Sequence, residues 1–329
     1  MTVIVIGLGS MGKRRIRLMK AMKLPIDIVG VDSRQERCEE TRSQLLIDCC
    51  TSIEEAEKQR RIDCAFICTS PLAHAELIQQ CLLHGFHVFT EINLVSDKYD
   101  ENIILAQERG LTLFLSSTPI YRDEMKEITK RVKMSKQTVA YSYHVGQYLP
   151  DWHPWEQYKD FFVGNRRTNG CREIFAIELP WIVKAFGEIE DIHVVSGRLT
   201  NLEINYQDAY FVQIIHANGN IGMFGVDVVC RKPVRKLEVY NEDIYIEWEG
   251  TPQTLKIKNI ATGKMENVSC GTYFNEAGYS EFVNECAYIN EIQEFFNVLT
   301  GKQPEYTMEM DARILSIIDQ IEEKHTEKN

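Results

Sequence analysis

Near the N-terminus the chain reads Gly7-Leu8-Gly9-Ser10-Met11-Gly12, three glycines in the spacing G-x-G-x-x-G. That spacing lets a backbone turn tightly and approach a pyrophosphate. Gly7 permits the turn, Gly9 brings the main chain to the phosphates without a clashing Cβ, and Gly12 lets the next helix pack closely on the preceding strand. The N-terminus of that helix then offers free N–H groups and a partial positive charge to the anion. The motif alone is weak, so its context matters. It follows the apolar run Thr2-Val3-Ile4-Val5-Ile6, and Asp32 closes the next apolar run. An acid there accepts the adenosine ribose hydroxyls and repels a 2′-phosphate, which favours NAD. Ser33 and Arg34 follow directly, and such groups can hold a 2′-phosphate, so NADP stays open. The bland alternative is a glycine turn beside a solvated aspartate.

A second cluster lies in residues 143–158, which carry His144, Tyr148, Trp152, His153 and Trp155. Aromatic faces with hydrogen-bonding tips suit a sugar ring, which has apolar C–H faces and hydroxyl edges. An aromatic plug over a sheet end would look the same. Tyr121-Arg122 could meet a substrate carboxylate or phosphate or form a surface ion pair. Arg166-Arg167 reads as a solvated loop, with a nucleotide-sugar diphosphate as the alternative.

The elements around these residues define the fold class. Continuous apolar strands near 2–6, 26–32, 62–70, 87–91 and 111–117 are separated by helical stretches, which implies a parallel sheet covered on both faces. Beyond residue 120 comes a helix from about Asp123 to Met134, then the strand VAYSYHVG and a helix over about 171–186. Strands then succeed one another from Ile192 to Val268, with Asn218-Gly219 and Asn241-Glu242 at turns. Two amphipathic helices close the chain. The expected architecture is α/β: a doubly wound Rossmann domain over 1–120 and an α+β substrate-binding and oligomerisation domain over 121–329, built on an open, mainly antiparallel sheet.

Bulk properties narrow the function classes. The formal net charge of −11 argues against nucleic acid and anionic membranes as partners, because the field repels phosphates. No apolar stretch is long enough to span a bilayer, and the N-terminus lacks the basic start of a signal peptide. Ten cysteines without a CxxC pair suggest buried reduced thiols, not a zinc site or disulfide framework, and point to the cytoplasm.

With these motifs in place, the chain resembles the Gfo/Idh/MocA oxidoreductases, relatives of glucose–fructose oxidoreductase and inositol 2-dehydrogenase. GLGSMGKRRIR matches their opening, and CTSPLAHAELIQQCLLHGFHVFTEINL matches their segment from third to fourth strand. The resemblance implies that Thr69, Ser70, Pro71, His74 and Glu91 line the nicotinamide half of the cofactor cleft. It also implies a dimer or tetramer formed through the C-terminal sheet. The family's Glu-Lys-Pro signature is here Glu91-Ile92-Asn93, so the lysine that assists proton movement is lost. The family's Asp-x-x-x-His helix aligns with GCREIFAIEL, which sets Ile174 at the aspartate and Glu178 at the histidine.

Alcohol oxidation by NAD needs a group to take the hydroxyl proton. Glu178 is the first choice, with His144 and His153 as further catalytic candidates; Arg122, Tyr148, Trp152 and Trp155 are candidates for substrate contact. A structural ion pair is the alternative for Glu178. Three functions compete: an NAD(P)-dependent dehydrogenase of a sugar, cyclitol or nucleotide-sugar derivative; a dinucleotide-binding sensor or scaffold; and an enzyme using NAD for elimination or epimerisation without net redox change.

Overall fold

The computed structural model describes residues 1–152, 157–276 and 280–324. The chain divides into two compact units, Met1–Ser117 with Tyr288–Arg313, and Thr118–Ala287 with Ile314–Asn329.

The first unit alternates strands and helices: β1 (Thr2–Ile6), α1 (Ser10–Ala21), β2 (Asp27–Val31), α2 (Gln35–Leu45), β3 (Asp48–Cys50), α3 (Ile53–Gln59), β4 (Cys64–Ile67), α4 (His74–Leu83), β5 (His87–Thr90), α5 (Tyr99–Arg109) and β6 (Leu113–Leu115). The strands pair in parallel in the order β3-β2-β1-β4-β5-β6. This is the doubly wound order that reverses at β1/β4 and leaves a ligand crevice at the strands' C-terminal ends. The sequence pattern missed β3: three residues at a sheet edge are too few to show a period. One face of the sheet carries a row of phenylalanines, since Phe66 pairs with Phe89 and Phe89 with Phe114 across neighbouring strands. Phe295 meets all three rings edge-on at 5.1–5.8 Å. Each such buried ring stabilises the fold by roughly 1.5–3 kcal/mol relative to its exposed state.

The second unit contains α6 (Asp123–Met134), β7 (Ala140–Gly146), α7 (Gly170–Phe186), β8 (Ile189–Gly197), β9 (Ala209–His216), β10 (Ile221–Asp227), β11 (Val234–Tyr240), β12 (Tyr245–Trp248), β13 (Lys256–Lys258) and β14 (Met265–Asn267). The helices α8 (Glu285–Leu299) and α9 (Met308–Glu323) each contribute residues to both units. The sheet order is β14-β13-β12-β11-β7-β10-β9-β8; β7 and β10 run parallel and every other pair is antiparallel.

Alternation along β7 sends Tyr141, Tyr143 and Val145 to the buried face and Ser142 and His144 to the other. On the buried face Tyr143 stacks on Phe224, Phe175 meets Phe224 edge-on, and Trp181 meets Tyr143 edge-on. These contacts seat α7 on the sheet. The opposite face exposes Val195, Phe211, Ile221 and Met223. No helix among the described residues is long and apolar enough to cross a membrane, and all ten cysteines are free thiols.

Candidate functional site

The glycine loop between β1 and α1 has the geometry its sequence demands. Gly7 has φ +92°, a conformation that favours glycine, and its N–H donates to the Val31 carbonyl at 2.8 Å. A Cβ on Gly12 would stand 1.9 Å from the Gly7 carbonyl oxygen, so loop and helix touch through bare backbone. A Cβ on Gly9 would meet only the Arg37 guanidinium, at 3.5 Å, so its outer side is open. Gly9 is also the N-cap of α1 and has no side chain with which to cap its first-turn amides. The residues present therefore fit a pyrophosphate at this helix end.

Asp32 lies at the end of β2, 7% exposed. Its Oδ2 accepts the Leu8 N–H at 2.9 Å and its Oδ1 accepts the Arg34 N–H at 2.9 Å. Sequence-distant parts of the nucleotide loop are thus tied together by the carboxylate that would meet the ribose. Ser10 is exposed, Met11 half-buried, and Ser33 and Arg34 are exposed beside Asp32.

At the ends of β4 and β5, Thr69 and Ser70 are accessible, whereas Pro71, His74 and Glu91 are buried. His74 stands between two acceptors, with Nε2 3.0 Å from the Thr69 carbonyl oxygen and Nδ1 2.7 Å from Asn93 Oδ1. Burial lowers its pKa against the pull of these two bonds, and the ring ties the Thr69 turn to Asn93. Glu91 takes a two-point ion pair from Arg15, at 2.6 Å and 3.0 Å. Arg15 also donates to Glu291 of α8 at 2.6 Å and to Ser116 at 3.2 Å. Burial opposes the Arg15 charge, but Glu91 and Glu291 outweigh it and its pKa is raised. Sequence reasoning saw Arg15 only as part of the basic cluster Lys13-Arg14-Arg15 and missed Glu291, since a charge inside an amphipathic helix gives no sign that it will be buried. Ile92, in the place of the family lysine, is half-buried.

In the second unit two of the candidate side chains, Glu178 and Arg122, are held by partners within the protein. Glu178 is 1% exposed and its oxygens accept from Tyr143 Oη at 2.8 Å, Trp181 Nε1 at 2.6 Å and Arg235 at 2.6 Å. It is the buried counter-ion of Arg235, a structural ion pair and not a free base. Arg122 is likewise buried, donating to Glu124, the Gly250 carbonyl and the Phe282 carbonyl beneath the Trp248 ring. That guanidinium is committed to the protein, not to a substrate.

His144 projects from the sheet face opposite α7, where Nε2 sits 2.7 Å from Asp227 Oδ2. Asp227 also accepts the Val229 and Cys230 N–H groups, and its pKa is lowered: burial opposes this, but the His144 bond and the two amides prevail. His144 and Glu178 therefore do not form one acid–base set. Ile174, placed at the family aspartate, is buried at 6% exposure.

Trp152 donates from Nε1 to the Gln147 carbonyl, and its ring lies against Gly170 at the start of α7. Tyr148 carries the Arg231 guanidinium 4.1 Å over its ring. His153 and Trp155 lie outside the described residues.

The group that sequence reasoning missed is Glu173. On α7 the partly open positions are Glu173, Ile177, Val183 and Lys184, and the first two, four apart, share one face. Glu173 keeps part of its surface open, but its Oε2 is buried and has no hydrogen-bond partner among the described residues. Desolvation raises its pKa from the ordinary 4.5 to about 8. The N-terminal frame is rigid. Asn169 caps the helix by accepting the Arg172 N–H at 2.8 Å, and Arg172 pairs with Asp319 and Glu322 of α9 at 2.7 Å. Glu173 is thus a carboxylic acid that holds its proton at neutral pH and releases it just above. A one-residue shift in the family alignment, with Glu173 for the aspartate and Ile177 for the histidine, would have found it.

Comparison with known proteins bears on the first unit and on the fold. Residues 1–116 match the Gfo/Idh/MocA model, described as an oxidoreductase family with an NAD-binding Rossmann fold. Mouse (Mus musculus) biliverdin reductase A is 26% identical over 203 residues, which span 60% of this chain and 61% of that protein. Among solved structures, levoglucosan dehydrogenase in complex with NADH and levoglucosan superposes with a TM-score of 0.82 at 14% identity, covering 98% of this chain and 96% of that one. UDP-N-acetylglucosamine 3-dehydrogenase from Acidithiobacillus ferrooxidans gives 0.75 at 17% identity, covering 99% and 97%. At those identities the structural likeness shows a shared fold.

Proposed function

We propose, because residues 1–116 match the Gfo/Idh/MocA oxidoreductase family, that the protein is an NAD(P)-dependent oxidoreductase acting on a sugar, cyclitol or nucleotide-sugar derivative. The observation that carries this reading is the uncapped helix end over the glycine turn, with Asp32 fixed beside it. Bound NAD would supply a hydride acceptor at nicotinamide C4. The chain's own part is to hold and orient. Gly7, Gly9 and Gly12 with the α1 amides bind the diphosphate, Asp32 faces the ribose, and Thr69, Ser70, Pro71 and His74 shape the crevice beyond. Glu91, clamped by Arg15, gives that crevice a fixed wall.

The proton needs a different carrier from the family's. Ile92 has no proton to exchange, and Glu178 is committed to Arg235. Glu173 is the carboxyl suited to the task. Glu173 would take up a substrate hydroxyl proton as its carboxylate and return it as its acid form. A value near 8 suits either direction near neutral pH. Tyr148 and Trp152 remain the sugar-facing aromatics of this proposal.

The relation to biliverdin reductase A favours a second reading: reduction of an extended conjugated substrate, with hydride going to carbon and no alcohol to deprotonate. One experiment separates the two. The purified chain with NADH or NAD⁺ is offered UDP-N-acetylglucosamine, levoglucosan, inositol and biliverdin, with nicotinamide absorbance and products followed. Turnover of a hydroxylated ring supports the first reading and turnover of biliverdin the second. Nucleotide binding without turnover of any of the four leaves the sensor or scaffold function in front, and a nucleotide that copurifies without exchanging favours elimination or epimerisation. The resemblance and the apolar stripe of Val195, Phe211, Ile221 and Met223 also support a homodimer or homotetramer through the open sheet face, which light scattering would measure.

A further inference from the structure

The end of the parallel sheet opposite the nucleotide loop carries a cavity of its own. It lies where β1, β4 and β5 begin, whereas the glycine loop and the Thr69 turn follow their C-terminal ends. The length of a strand, roughly 13 Å for the four residues of β4, separates the two. The cavity measures about 680 Å³, within the roughly 300–1,000 Å³ of small-molecule sites. Buried Phe86 and Ile62 supply apolar lining, and most of the remaining surface is polar.

The polar groups divide into those already engaged and those left over. Both acids are engaged: Glu57 Oε2 lies 2.7 Å from His84 Nδ1, and Asp63 Oδ2 accepts the Thr2 N–H at 2.8 Å. Arg60 is held by Asp48 at 2.5 Å. His87 is different. Its Nδ1 accepts the Thr112 N–H at 2.9 Å, and a backbone N–H can only donate, so the ring proton sits on Nε2. That Nε2–H has no partner among the described residues. Burial lowers the His87 pKa, with the Asp63 charge opposing. Arg61 is 91% exposed, and its Nε stands 3.5 Å from Asp63 Oδ1, too far to lock the guanidinium. His84 has the opposite tautomer to His87. The Glu57 carboxylate accepts from Nδ1–H, which leaves His84 Nε2 as an acceptor. Between the rings, Gly85 has φ +86°, and a Cβ there would meet nothing within 4 Å, so the rim is bare.

The geometry points to a binding site for a small hydroxylated anion, whose phosphate or carboxylate oxygens accept from His87 Nε2–H and the Arg61 fork while a hydroxyl donates to His84 Nε2. A planar guanidinium beside a fixed N–H suits either oxyanion. This site is separate from the nucleotide loop and does not depend on which reaction the chain performs.

The test is titration of the purified full chain, in a buffer free of oxyanions, with glycerol phosphate, malate and glycerol. Calorimetry reads affinity, and proton–nitrogen correlation spectra of the imidazoles read the tautomers. The free protein should show the proton of His87 on Nε2 and that of His84 on Nδ1. At least one of the two anions should bind with a Kd of about 1 mM or tighter and move the His87 Nε2 signal; which of them binds tells phosphate from carboxylate. Arg61→Ala, at an exposed position and with its melting temperature checked, should weaken that anion tenfold or more, the effect of one charge-assisted bond. NADH affinity should change less than threefold. Binding of neither anion, or of glycerol as tightly as the anions, would overturn the inference. So would an anion that leaves both imidazole signals in place or survives Arg61→Ala, since it would then sit elsewhere. None of these failures touches the dinucleotide reading, which NADH binding tests by itself.

Discussion

The glycine loop of the first unit and the α7 helix of the second are built from different materials. In the loop, backbone does the work: the conformation of Gly7, the bare contact of Gly12 with the Gly7 carbonyl, the open side of Gly9. On α7, side chains decide everything. Glu178 and Glu173 are the same residue type five positions apart, yet one accepts from three donors and the buried oxygen of the other has none among the described residues. A backbone site is specified by which residues are absent, namely side chains, and so can be read from composition. A side-chain site is specified by neighbours brought from afar, such as Tyr143 and Arg235 around Glu178.

The contrast is sharpest where a partner is removed. Glu178→Ala leaves Arg235, 16% exposed, facing the gap without its counter-ion, and removing one member of a buried pair costs about 3–5 kcal/mol. Urea unfolding should show that loss as a lower midpoint at unchanged slope. A loss under about 1 kcal/mol would mean that the Glu178 cluster is not what seats α7.

In the loop the same comparison runs between two glycines. Gly12→Ala drives a methyl into the Gly7 carbonyl and should cost about 3 kcal/mol together with NADH binding. Gly9→Ala meets only the end of a flexible arginine, so melting should barely change while NADH affinity falls at least tenfold. If Gly9→Ala binds NADH normally, the diphosphate does not lie over this loop.

The same distinction explains how much of the molecule was legible. The parallel sheet declared itself through continuous apolar runs, and the nucleotide loop through its glycine spacing and Asp32. The alternation Tyr141, Ser142, Tyr143, His144 puts His144 on the face opposite Tyr143 by period two alone, but that Glu178 lies on the Tyr143 side is a contact across 35 positions. Helix α7 was not legible. Thirteen of its residues are buried, so its sequence is apolar nearly all round and carries no phase. A one-residue error then rotates the inferred face by about 100°, which is the difference between the Ile174–Glu178 face and the Glu173–Ile177 face. The Arg15–Glu91–Glu291 cluster joins residues 276 positions apart, a pairing that no local pattern encodes.

Glu173 offers the subtlest break, because its removal should help the fold. Its folded value of about 8 lies above its ordinary 4.5. Below pH 4.5 the carboxyl is protonated in both states and costs nothing. Between 4.5 and 8 the unfolded chain has released the proton while the folded chain still holds it, so stability falls as pH rises, and the loss is complete above 8. Glu173→Gln cannot ionise. Its melting temperature relative to wild type should therefore climb across that window, while turnover of whichever substrate is accepted falls about a hundredfold or more and NADH affinity stays put. A difference in melting temperature that is flat from pH 4.5 to 8 would show that the carboxyl is solvated and ordinary. Greater stability with undiminished turnover would leave it buried but take it out of the chemistry. Only the two changes together, a firmer fold and a slower enzyme, fit a buried carboxyl that a substrate engages.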